Sequence, residues 1–155
     1  MAKNGSTFHY EAYIRASADD VWNAITDGEQ TARYFYGSPV KSTLKTGTDF
    51  VYMSPDGKER LVEATIFAIE PRHRLILDKY RMLYSPALAE DRPSREEWEL
   101  TPMGEVCKVA VVHDGMSPNG PTYKDVTSGI PLVISSMKSL LETGKPLEMP
   151  AEHQG

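Results

Sequence analysis

His113 is the residue best placed in this sequence to do chemistry, and what it can do depends on which way its strand faces. In the stretch 106–113, Cys107, Val109, Val111 and His113 share one parity while Lys108 falls on the other. With Lys108 outward, His113 points toward the core or a pocket. There an imidazole could bind a polar ligand group or act as a base; the alternative is a histidine bonded to backbone at the turn beside Asp114-Gly115. Trp98 shares a parity with Glu96 and Leu100, so it belongs either to the core or to a pocket wall, where its flat face suits an apolar ligand and its N–H can orient a polar one. Trp22 reads as core. Tyr10, Tyr52, Tyr80 and Tyr123 all fall on expected buried faces. Buried tyrosine hydroxyls need partners: several converging on one cavity would make an apolar pocket with a few polar anchors, whereas separate ones would cap the ends of the core. Glu63 lies between Val62 and Ala64. Turned inward it would be a catalytic candidate, but 61–69 is apolar on both parities and an outward Glu63 is the expectation. Glu11, Glu97 and Glu99 fall on outward parities. The run Tyr34-Phe35-Tyr36-Gly37 could rim a pocket, offer a patch to a partner, or anchor its neighbours on a sheet.

Several chemistries are set aside. His9, His73, His113 and His153 lack ligand spacing, and a single cysteine, Cys107, allows neither an intramolecular disulfide nor a thiolate zinc site. No metal and no cofactor is expected. Phosphate-binding, dinucleotide, nucleophile-elbow and HExxH patterns are missing. Lys and Arg total 17 against 22 Asp and Glu, a net charge of -5, so there is no basic surplus for nucleic acid. No apolar run reaches the length of a membrane span, and the N-terminus lacks the apolar stretch of a signal peptide. A cytoplasmic address is the expectation.

The elements that must position these residues follow from periodicity. Residues 7–15 alternate with period two and predict a strand. Ser17 can cap a helix whose apolar stripe is Ala18, Val21, Trp22 and Ile25, with Gly28 ending it. A second short helix is expected over 29–36. Strands are expected at 39–43, 48–53, 61–69, 74–82, 95–101 and 106–113, with turns at Pro55-Asp56-Gly57 and Pro102-Met103-Gly104. The stretch 83–94 reads as a long loop over a pocket mouth. Tyr123, Val126, Ile130, Val133, Ile134, Met137, Leu140 and Leu141 carry the i, i+3, i+4, i+7 stripe of a long helix over 121–143. Pro131 inside it predicts a kink near 127–131, Gly144 is the C-cap, and a frayed tail follows from 147. At 155 residues one domain is expected, of α+β class. A curved antiparallel sheet around one long helix is a helix-grip arrangement, and the gap between them is a natural cavity.

Four motifs in this order resemble the AHSA-type proteins, homologues of the activator of heat-shock-protein ATPase. These belong to the START-like (SRPBCC) superfamily, with the helix-grip fold of the birch-pollen allergen. The first is Ala16-Ser17-Ala18-Asp19-Asp20-Val21-Trp22-Asn23-Ala24-Ile25-Thr26-Asp27. The second runs from Ile66 through Glu70-Pro71-Arg72 to Leu75, with Arg72 where the family has a second proline. The third is Val109-Ala110-Val111-Val112-His113-Asp114-Gly115. The fourth is Ser128-Gly129-Ile130-Pro131 continued to Gly144, with Ile130 where the family has tryptophan. The resemblance spans about residues 8–147 and implies the helix-grip fold for nearly the whole chain.

The expected function is binding of a small apolar or aromatic molecule between the sheet and the C-terminal helix. The expected wall is Phe35, Phe50, Tyr52, Trp98, Val111, His113, Tyr123, Ile130 and Ile134, with Ile130 widening it relative to tryptophan. An enzyme of polyketide cyclase or hydrolase type, using His113 and a tyrosine, is the alternative that superfamily relatives suggest. The family resemblance also leaves open a stress protein that contacts a chaperone through its surface. Homodimerisation is open as well, while no nucleic acid or membrane partner is expected.

Overall fold

A computed structural model describes residues 5–149; His153, and the part of the expected tail beyond 149, lie outside them. Its elements follow the order anticipated from periodicity. Strand β1 (Ser6–Ile14) leads into helices α1 (Ala18–Thr26) and α2 (Gly28–Tyr34). Strands β2 (Val40–Ser42), β3 (Asp49–Met53), β4 (Arg60–Glu70) and β5 (Arg74–Met82) follow, then a one-turn helix α3 (Pro86–Glu90). Strands β6 (Ser94–Met103) and β7 (Val106–Met116) precede the long helix α4 (Pro121–Thr143). The seven strands form one antiparallel sheet in the order β1-β7-β6-β5-β4-β3-β2. The chain thus closes its first strand onto its last and leaves β1 and β2 as edges. Among the described residues, no helix is long and apolar enough to cross a membrane.

Local chemistry explains the helix boundaries. The Ser17 hydroxyl accepts from the Asp20 amide at 3.0 Å, a side-chain N-cap for α1. Gly28 does not end α1 as expected. Asp27 is shared instead: its own N–H closes α1 on the Asn23 carbonyl, and its carboxylate accepts from the Glu29 amide to open α2. Gly28 is needed for a different reason. A Cβ there would stand 2.6 Å from the Val40 carbonyl oxygen, where the Val40 amide is itself tied to the Thr31 hydroxyl at 2.8 Å. The stretch 83–94 is also more ordered than expected. Ser85 caps α3 and buries Leu88, and Asp91 accepts from the Ser117 hydroxyl and the Thr122 amide, pinning this stretch to the start of α4. Helix α4 runs unbroken through Pro131 to Gly144, whose φ of 84° is the left-handed C-cap geometry.

Helix α4 lies against β1 and β7 and touches α1, α2 and α3. It therefore rests on one end of the sheet. Strands β3 to β6 curve away beneath it, and the space left there is where the site forms.

Gly28→Ala forces an atom onto the Val40 carbonyl and is expected to lower stability by about 1–3 kcal/mol. Urea denaturation measures it; an unchanged midpoint would contradict this account of the α2–β2 junction.

Candidate functional site

Strand β6 has a clean period of two, with Ser94, Glu96, Trp98 and Leu100 buried and Arg95, Glu97 and Glu99 on the other face. Register sets Glu96 directly opposite His113 and Trp98 opposite Val111. A buried carboxylate, an indole and an imidazole are therefore cross-strand or same-face neighbours. The Trp98 Nε1–H donates to Glu96 Oε1 at 2.8 Å. His113 Nδ1 lies 2.9 Å from Glu96 Oε2, and His113 Nε2 lies 2.7 Å from the Ser94 hydroxyl. One proton arrangement gives every polar hydrogen an acceptor. Ser94 donates to Nε2, and Nδ1–H donates to Glu96. Edge-on to the imidazole stands Tyr80, with ring centres 4.8 Å apart.

Glu96 is the boundary between this cluster and a cavity of about 100 Å³. The floor comes from the sheet: Tyr52, Val62, Tyr80, Met82, Glu96 and Trp98. The roof is α4, with Asp125, Val126, Gly129, Ile130, Val133 and Ile134. One end is closed by Tyr34, Phe35, Tyr36 and Ser38, and another by Tyr84. Backbone irregularities aim two of these rings. Along β5, Leu75 and Leu77 point inward, and strict alternation would turn Lys79 in next. A bulge between Leu77 and Tyr80, with Lys79 at φ 53°, shifts the parity, so Tyr80 and Met82 face the interior instead. Tyr36 at φ 54° and Gly37 at φ 73° make a left-handed turn after α2 that sets Tyr36 in the wall.

The hydroxyls divide into two groups. Tyr34 donates to the Ala24 carbonyl, Ser38 to the Met53 carbonyl, and Tyr84 to Asp125 through a very short contact. Those of Tyr52 and Tyr80, on side chains buried to 4% and 7% exposure, and that of the half-buried Tyr36 have no hydrogen-bond partner among the described residues. Burial raises the pKa of Tyr52 and Tyr80 well above the usual tyrosine range; Tyr34 and then the charge of Glu96 add to the shift of Tyr52, and Glu96 and then Tyr52 add to that of Tyr80. Burial also raises Tyr34 and Tyr84, the latter further through its bond to Asp125.

The family model described as activator of Hsp90 ATPase homolog 1-like protein matches residues 15–142. The chain belongs to this family. Solved structures carry the same fold at low identity. DynU16, a protein in the dynemicin biosynthetic locus, superposes at TM-score 0.70 with 23% identity, covering 90% of this chain and 48% of that one. The chain thus spans about half of that protein. CalU16 from Micromonospora echinospora matches at TM-score 0.69 and 19% identity over 99% of this chain and 89% of that one. The Aha1 dimer from Colwellia psychrerythraea matches at 0.72 and 12% over 90% and 98%. No curated protein matches.

The expected wall residues fall into two sets. Phe35, Tyr52, Trp98, Ile130 and Ile134 are brought together around the cavity. Phe50, Val111, His113 and Tyr123 are not in its wall. Phe50 is in the core, edge-on to Tyr52. Val111 is fully buried opposite Trp98. His113 sits one layer behind Glu96, and Ser94 and Glu96 occupy both its nitrogens. Tyr123 lies toward the start of α4, where Thr122 is tied to Asp91. Tyr10 is half-buried on β1, away from the cavity, and Glu63 faces outward beside Arg60. Trp22 is buried in α1, in the core as expected. Among the described residues no group of side chains could hold a metal ion. Glu96 and Asp125 were missed. The alternation of Glu96 with Trp98 was the available signal for the first; nothing local marks Asp125.

The folded protein holds the protons of Tyr34, Tyr52, Tyr80 and Tyr84 more tightly than the unfolded chain, whose tyrosines titrate near 10.0. Their contribution to stability is complete below pH 10 and is lost as pH rises above it. An alkaline titration of tyrosinate absorbance should show these four ionising only together with unfolding. Smooth ionisation of all eight tyrosines in the native state would contradict their placement.

Proposed function

We propose that this protein binds a small molecule with an apolar or aromatic body in the cavity between α4 and the sheet. The observation that carries the reading is the pair of free hydroxyls, Tyr52 and Tyr80, on deeply buried side chains that wall an aromatic cavity. Neither hydroxyl oxygen is among the fully buried polar atoms that lack a partner, so both open onto the cavity, where a bound polar group can pair with them while the surrounding rings supply apolar contact. The volume of about 100 Å³ is below the roughly 150 Å³ of a cavity that takes up benzene. The cavity therefore receives one end of a ligand, and the rest extends past its rim. The origin of DynU16 in a biosynthetic locus is in keeping with small-molecule chemistry on this fold.

His113 does not support an acid–base role of its own, because Glu96 and Ser94 occupy its two nitrogens and neither faces the cavity. The family description favours a second reading, contact with a chaperone through the surface, which a pull-down on purified Hsp90 distinguishes.

Ile130→Trp adds bulk to the roof. Native mass spectrometry of the freshly purified protein, against its denatured mass, should show a bound small molecule on the wild type that is reduced several-fold on this variant. Equal occupancy of both would contradict the placement of the site.

A further inference from the structure

The chemistry of the cavity wall is one-sided. Two carboxylates, Glu96 and Asp125, reach it, and among the described residues it contains no Lys, Arg or His. Its side-chain donors are largely spent: Trp98 on Glu96, Tyr84 on Asp125, Tyr34 and Ser38 on backbone carbonyls. His113 lies behind Glu96 with its two nitrogens taken by Glu96 and Ser94, so it presents no donor to the cavity. What faces the empty volume is therefore acceptor oxygens, the phenol hydroxyls of Tyr36, Tyr52 and Tyr80, which have no partner among the described residues, and the faces of aromatic rings. Seven of the eighteen wall residues are aromatic.

Resting on the binding reading above, we propose that the ligand is an organic cation: a protonated amine with a small apolar or aromatic body. An anionic ligand would meet Glu96 and Asp125 with no cation to offset them, and burying like charges together is strongly unfavourable. A neutral hydrocarbon would leave the Tyr52 and Tyr80 hydroxyls as unpaired as they are without it. An ammonium group satisfies every feature at once. Its N–H donors meet the carboxylates and phenol oxygens, and its charge lies against ring faces, where cation–π attraction is strengthened by desolvation. The volume fits an ammonium head with a few carbons, and the net charge of -5 favours approach of a cation from solution.

The test compares two probes of matched shape, 2-phenylethylammonium and propylbenzene, titrated into the full chain and followed by protein NMR. The cation should bind about tenfold more tightly than the hydrocarbon. Glu96→Gln should abolish that preference. Because Glu96 also anchors Trp98 and His113, Asp125→Asn on the helix serves as a second variant and should reduce the preference by itself. Propylbenzene binding as tightly as the amine would overturn the cation assignment and leave the apolar cavity standing. Binding of neither probe would overturn both readings. A preference that survives both variants would overturn the role given to the two carboxylates.

Discussion

The structure is organised around a carboxylate held inside the domain. Glu96 is 3% exposed, and taking such a group out of water costs several kcal/mol. Hydrogen bonds from Trp98 and His113 offset that cost, each worth about 1.5–3 kcal/mol to a charged acceptor. The sum is near zero, so the cluster is not what holds the fold together. Leucine at this position would remove the buried charge but leave the ring nitrogens of Trp98 and His113 without their partner, at about 1–3 kcal/mol each. What the cluster does is fix geometry. It locks the Trp98 indole, the His113 ring and the Glu96 oxygens against one another, and the Tyr80 ring stands edge-on behind. One wall of the cavity is thereby rigid.

The other wall is a helix that cannot come closer. Helix α4 rests on β1 and β7, while α1, α2 and α3 occupy its remaining flanks. Strands β3 to β6 curve away from it, and the rings of Tyr52 and Tyr80 only partly fill the gap. A sheet of seven strands wrapped on a single rod leaves space by construction. The side chains here decide the size and polarity of that space. Ile130 in the roof leaves room, and Asp125 with Tyr84 sets a second carboxylate across from the first.

Much of the fold is legible from periodicity because each strand has one buried face and α4 has one stripe. The α+β class, the strand order along the chain, the Ser17 cap and the Gly144 stop all follow from local patterns. What escapes is what depends on register. Glu96 and His113 meet only because β6 and β7 pair with those two residues opposite each other, and neither strand alone contains that information. The parity of β7 turns His113 toward the core or a pocket, but only the pairing with β6 shows that its ring nitrogens meet Glu96 and Ser94. Gly28 carries an ordinary helix-stop signature, and its actual role, clearance from the Val40 carbonyl, exists only in three dimensions. Asp125 has the sequence context of a solvated helix residue, and only the packing of Tyr84 over it makes it part of the wall.

The two tryptophans allow the central claim to be tested directly. Trp98 lines the cavity and donates its indole N–H to Glu96, whereas Trp22 packs in the core on α1. In a titration with 2-phenylethylammonium watched by indole proton–nitrogen NMR, the Trp98 resonance should move saturably and the Trp22 resonance should stay. A Trp98 signal that does not respond, or a saturable shift confined to Trp22, would contradict a ligand site between the sheet and the C-terminal helix.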